Sequence, residues 1–212
     1  MKISNPELAA LWDERELSFD VETTGLRPFH GDVPFAAVLS TGVKSAYVDL
    51  TDGDALRELI EFGEQNDAIG EKMHRLTLAL IAARDAEAAI QALYFHLRED
   101  FAVPHTVIRL WPQWDHPQTA EFAEVSMAAR DFAASLANPY CCAKAMVDTA
   151  EWFGDDAQHL RSFAYVTLKN DETIGLLAMA SEDAQRFYPE MGTLYLKRLG
   201  DLAAATLLRY LA

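Results

Sequence analysis

The chain has 212 residues, half of them apolar, with 24% charged residues and a mean hydropathy of −0.05. That is room for one large domain, or a medium domain plus a fragment, and it is not a disordered composition. The formal charge of −15 argues against passive binding to nucleic acid and against an anionic membrane surface, since both need a basic footprint.

The acid is spread along the chain: residues 1–65 hold five Lys/Arg and thirteen Asp/Glu, and the remainder holds thirteen and twenty. Cys141 and Cys142 are the two cysteines. Neighbouring cysteines are poorly placed to bridge each other, because a disulfide wants Cα atoms further apart than a trans peptide allows. Without a disulfide framework, an apolar leader in Met1–Pro6 or a stretch of membrane-spanning length, the expected location is the cytoplasm.

In chain order, Leu17 to Val21 suits a strand running into the Thr23-Thr24-Gly25 turn. Phe35–Ser40 and Ser45–Leu50 read as two more strands, and Asp54–Gly63 as a helix with Asp52 or Asp54 as N-cap. From Glu71 to Asp100, Met73, Leu76, Leu80, Ile90, Leu93 and Leu97 recur at helical spacing. Thr106–Trp111 is a strand, residues 112–120 a loop, and Ser126–Leu136 a helix. Lys144–Phe153 reads as a helix closed by Gly154. Phe163–Lys169 and Ile174–Ser181 form a hairpin across Asn170-Asp171-Glu172, and Gly192–Leu211 is a final amphipathic helix. The expected fold class is α+β: a sheet flanked by helices, preceded by a short β-β-β-α segment, with domains at 1–62 and 66–212. The first and last long helices could pack on one face of the sheet or self-associate.

Asp20 and Glu22 lie two apart on the first strand, so both side chains face one side. Carboxylates so placed suit a hard divalent ion such as Mg²⁺ or Mn²⁺. The string Phe19-Asp20-Val21-Glu22-Thr23-Thr24-Gly25-Leu26 resembles the first motif of DEDD-type 3′–5′ exonucleases. The segment to residue 60 resembles the proofreading domain of family A DNA polymerases. The resemblance implies an RNase H-like fold with Asp20 and Glu22 as metal ligands. It then stops. Asn5, Asn66, Asn138 and Asn170 are followed four residues on by Ala9, Gly70, Cys142 and Ile174, so no Asn-x-x-x-Asp motif exists. None of the seven tyrosines has an aspartate four residues on, and no histidine has one six residues on. Two carboxylates alone hold Mg²⁺ weakly.

From about residue 66 onward, the order and spacing of several strings carry a second resemblance. They are Met73–Leu80, Leu97–Phe101, Pro139-Tyr140-Cys141, Trp152-Phe153-Gly154, Gly175–Ala178 and Ser181–Leu211. This part resembles the GAF-like family catalogued as domain of unknown function 484, with Cys142 standing where that family usually has glycine. The resemblance implies a GAF-like antiparallel sheet with helices on one face and a pocket on the other. It puts forward Tyr140, Cys141, Cys142, Arg161, Phe163 and Met179 to line that pocket. The function it implies is a non-enzymatic sensory or regulatory module for an unknown small molecule or protein partner, carrying a foreign N-terminal segment. The alternative is a metal-dependent 3′–5′ exonuclease, or its inactive remnant, using Asp20 and Glu22 with Mg²⁺ or Mn²⁺.

Bland readings stand beside these. Both cysteines read first as packed thiols; a nucleophile would need the fold to bring His159 beside one of them as its base, and a zinc site from both with a histidine lacks the usual two-residue spacer. Trp111 and Trp114 flank Pro112 and read first as rim packing of the sheet, second as a ligand platform. Arg186 to Tyr188 fixes the approach to the last helix.

Overall fold

The computed structural model describes residues 18–23, 34–40, 45–49, 53–111, 119–189 and 191–211; before residue 63 it describes side chains only at Arg57 and Glu61. The chain divides into two compact units, Met1–Glu71 and Lys72–Ala212. Among the described residues no helix is long and apolar enough to cross a membrane.

The first unit contains a three-stranded antiparallel sheet: β1 (Ser18–Thr23), β2 (Pro34–Ser40) and β3 (Ser45–Asp49), in that order. Asp20 pairs with Val38 and Glu22 with Ala36 of β2, and the register slips after Glu22. The Thr24-Gly25 turn and Asp52 lie outside the described residues.

Helix α1 runs without interruption from Gly53 to Ala82. The expected stop at Gly63 is absent, and so is the expected start at Glu71. Glycine weakens a helix by about 1 kcal/mol relative to alanine but does not end it, and no proline occurs between Pro34 and Pro104. The break comes instead at Asp85, whose carboxylate accepts from the backbone N–H of Ala88 at 2.7 Å and caps α2 (Ala86–Glu99). The single long helix expected over 71–100 is therefore two, because a short polar side chain offers the backbone a capping bond in place of another helical one.

The second unit is built on a four-stranded antiparallel sheet. Its strands are β4 (His105–Leu110), β5 (Tyr140–Cys142), β6 (Ser162–Lys169) and β7 (Thr173–Ser181), in the order β4-β7-β6-β5. Helix α3 (Met127–Ser135) starts at Ser126, whose hydroxyl accepts from Ala129 N–H. Helix α4 (Leu194–Leu211) closes the chain. The expected hairpin forms as β6–β7. Strand β5 is a short edge strand that the sequence reading lacked; Pro139 immediately before it masked three residues of pairing. The expected helix over Lys144–Phe153 gives way to a 3₁₀ segment over Thr149–His159, kinked at Gly154 (φ 56°).

Alternation along the central strands divides the core into two. Ala164, Val166 and Leu168 of β6, with Leu177 and Met179 of β7, meet Leu76, Leu80, Leu93, Leu97, Leu199 and Leu207 from the three long helices. Helix α4 lies on β6 and α2 lies against α4. The approach is close at Gly200, where a Cβ would stand 2.5 Å from Val166 Cγ1. Leu78, Ile81 and Phe95 are exposed on α1 and α2; self-association through the long helices, expected from the sequence, would draw on them. On the opposite face, Phe163, Tyr165, Leu176, Ala178 and Ala180 meet Ala133, Phe153 and Leu160 from α3 and the 3₁₀ segment.

Candidate functional site

The floor of this opposite face is a closed ring of hydrogen bonds. Met146 N–H donates to the Tyr165 hydroxyl at 3.0 Å, and the Thr149 hydroxyl donates to Met146 C=O at 2.7 Å. Thr149 has spent its one proton there, so at 2.7 Å the Tyr165 hydroxyl donates to Thr149 Oγ1. Tyr165 and Thr149 are both 0% exposed, and burial pushes the Tyr165 phenol above its ordinary pKa. Between the two loop residues of the ring sits Val147, at φ 48° and 48% exposed. A β-branched residue at positive φ is strained, and the bonds on either side of Val147 hold it there. Residues in such conformations cluster at ligand clamps and functional loops.

The rim of the same face carries tryptophan and arginine. Val107 and Trp111 lie against this core cluster, and Arg109 falls between them in the same alternation. The Arg109 guanidinium lies 5.4 Å from the Trp152 ring centroid, and that of Arg130, from α3, lies 5.6 Å from the Trp111 ring. Both are cation–π distances. All four side chains are half-buried. Among the described residues neither guanidinium has a carboxylate at salt-bridge distance. Arg109 donates to the carbonyl of Ile108 at 3.2 Å. Burial lowers its pKa, while the proximity of Tyr94 and Glu121 opposes that. Two polar atoms on this face are buried without a hydrogen-bond partner: Arg130 Nε, a donor, and Asp148 Oδ1, an acceptor. Each such atom is costly, about 1–3 kcal/mol. The 3₁₀ segment is also tied to the sheet end, where His105 Nε2 lies 2.9 Å from Glu182 Oε1 and His105 Nδ1 lies 3.5 Å from Asp156 Oδ2. The hydrogen bond from His105 holds the Glu182 carboxyl below its usual range.

The six residues put forward from the sequence do not share one pocket. Tyr140, Cys142 and Phe163 lie on the Tyr165 face, with Tyr140 exposed and its ring edge-on to Phe132. Cys141 and Met179 lie on the opposite face, sealed beneath the helices. Arg161 is exposed beyond the end of β6, where its backbone N–H donates to Ser181 C=O. Both thiols are buried, and the sheet stands between them. Burial, together with Cys142 nearby, pushes Cys141 to a pKa of about 12, and burial raises Cys142 as well. A protonated thiol is a poor nucleophile and a poor metal ligand. Among the described residues, no three His, Cys, Asp or Glu side chains could hold a metal ion. Asp20 and Glu22 share a strand, but their side chains, like Trp114, lie outside the described residues.

A concavity of about 290 Å³ lies at the far edge of the sheet between the end of α3 and α4. Lys169, Lys197 and Asp201 line it, together with Asn138 and Asn170. Its charges are mixed, and the Lys169 amine already donates to Leu136 C=O just past the end of α3, at 3.4 Å. The groove is therefore explained in part by helix capping.

The fold thus defines a mixed α/β protein: a four-stranded antiparallel sheet with helices sealing one face and a polar, aromatic rim on the other. The chain belongs to the family described as "Protein of unknown function, DUF484", whose model matches residues 51–212. No curated protein matches the chain.

Proposed function

We propose that this chain is a non-enzymatic regulatory module of GAF-like type that binds a small ligand on the face of the sheet turned away from the long helices. The observation that supports it most is the pair of half-buried guanidiniums on the tryptophan rim, neither of which has an ion-pair partner among the described residues. Such side chains are set for recognition. An activated nucleophile is missing from that face among the described residues, where the one thiol, Cys142, is held protonated. In this reading the N-terminal three-stranded segment is an accessory to the family domain.

The test is a thermal-shift screen with nucleotides, tetrapyrroles and amino acids. A ligand that binds only the folded state raises the melting temperature by mass action, by a free energy of about 2.7 kcal/mol at one hundred times its Kd. A rise with one compound class is the expected result. No rise with any compound, together with Mg²⁺- or Mn²⁺-dependent release of nucleotides from single-stranded DNA that disappears in Asp20→Ala, would replace this reading with the exonuclease.

A further inference from the structure

The rim of the sheet allows the ligand itself to be narrowed, an inference that rests on the ligand-binding reading above. We infer that the site takes a small molecule made of a planar ring, an anionic group and an N–H donor, held by Trp111, Trp152, Arg109, Arg130 and Asp148.

Three observations converge on this. The two tryptophans are half-buried, so each offers one rim of its ring to a neighbour rather than being sealed in the core. Aromatic faces of this kind stack on planar groups. Two guanidiniums stand on the same rim without an ion-pair partner among the described residues, in a chain of formal charge −15. A pair of partly desolvated guanidiniums is suited to an anionic group from outside, which guanidinium binds through paired N–H donors. Finally, a donor and an acceptor are left unmatched in the same layer, Arg130 Nε and Asp148 Oδ1. Buried polar atoms are nearly always satisfied, so an orphan of each sign asks for a partner carrying both functions. An anionic oxygen answers the first and an N–H group the second.

Two sources share this chemistry: an aminopurine nucleotide, with phosphate and exocyclic amine, and an aromatic amino acid, with carboxylate and ammonium. Isothermal titration of the full chain with AMP and with L-phenylalanine separates them, using adenosine and inorganic phosphate as the parts of the first. The expected result is binding of one whole molecule, tighter than that of either part, and weakened roughly 10-fold by Arg130→Gln, the size expected for loss of a cation–π contact and a charge-assisted hydrogen bond. Trp111→Leu should weaken it as well, with the melting temperature of both variants reporting that they fold. Failure of both AMP and L-phenylalanine to bind overturns the inference, as does binding that neither variant changes. If the broad screen finds a ligand of another kind, such as a tetrapyrrole, the regulatory reading stands and this assignment falls.

Discussion

On the helical side of the four-stranded sheet, the central strands contribute Ala164, Val166, Leu168, Leu177 and Met179, all apolar, and three helices cover them completely. On the other side the same two strands contribute Phe163, Tyr165, Thr167, Leu176, Ala178 and Ala180, and the cover is a short helix, a kinked 3₁₀ segment and a strained loop. Thr167 donates to Ala133 C=O at 2.8 Å and Tyr165 closes its ring with Thr149 and Met146, so polar groups reach deep into this layer. One layer is held by area removed from water, which is insensitive to direction. The other adds directed bonds to its apolar contacts, and these fix geometry. A stable frame on one side and a shaped, polar surface on the other is the arrangement a recognition module needs.

The sharpest way to test that contrast is to delete mass from each layer in turn. Leu177 is fully buried at the centre of β7 against the helices. Leu177→Ala is expected to cost about 2–5 kcal/mol, the transfer term plus the cavity it leaves. Arg130→Gln, on the rim, should cost no more than about 1 kcal/mol, the value of a half-exposed cation–π contact. Urea unfolding of both variants checks the pair. Equal losses would mean that Arg130 serves the fold and not a ligand.

Much of the sealed layer was legible in the sequence. The 3.6-residue recurrence of Leu76, Leu80, Leu93 and Leu97, and the uninterrupted apolar run of β7, carry the two periodicities that define a helix layer on a sheet. The break at Asp85 was missed, since the apolar recurrence continues across it, and Gly63 was given a helix stop that its small energetic cost does not warrant. The rim was harder. Arg109 stands in the middle of a strand whose neighbours Ile108 and Leu110 are buried; a charged residue there is a signal, since strand alternation places it on the less apolar face. Arg130 and Trp152 gave none, because their meeting with Trp111 and Arg109 depends on how α3 and the 3₁₀ segment fold back over the sheet. For the same reason the sequence grouped Cys141 with Cys142, although successive strand residues point to opposite faces.

A smaller effect is expected from the hydroxyl ring. Tyr165→Phe keeps the aromatic volume, including the edge-on contact with Phe132 at 5.3 Å, but removes the acceptor of Met146 N–H and the donor to Thr149. The loss should be about 1–3 kcal/mol, the cost of leaving buried polar groups unpaired. The direction of the structural change is specific: with the ring open, Val147 is free to leave positive φ. Amide exchange at residues 146–149 should therefore rise more than exchange in β6 or β7. Uniform acceleration would show that the ring adds to global stability only and does not hold the loop.

The smallest expected effect lies on the helical side, in a polar clasp outside the sealed core. Asp100, just past the end of α2, receives Arg75 from α1 at 2.7 Å and lies 2.5 Å from His96 Nδ1. The hydrogen bonds from Arg75 and then His96 hold the Asp100 carboxyl below its usual pKa, against a small opposing effect of burial. A carboxylate with a depressed folded-state pKa contributes stability that is fully present above its unfolded value, about 3.9. That stability is lost as pH falls through the lower folded value, because the unfolded chain then binds the extra proton first. Arg75 is about half exposed, at 49%, so the clasp contributes less than about 1 kcal/mol at neutral pH. Asp100→Asn removes this one titration while leaving every other carboxylate in place. The difference in urea midpoint between the two proteins should therefore shrink as pH falls below about 4. A difference that stays flat down to acid pH would mean that Asp100 contributes through its shape and hydrogen bonds alone, and that its charge does not clamp α1 to the end of α2.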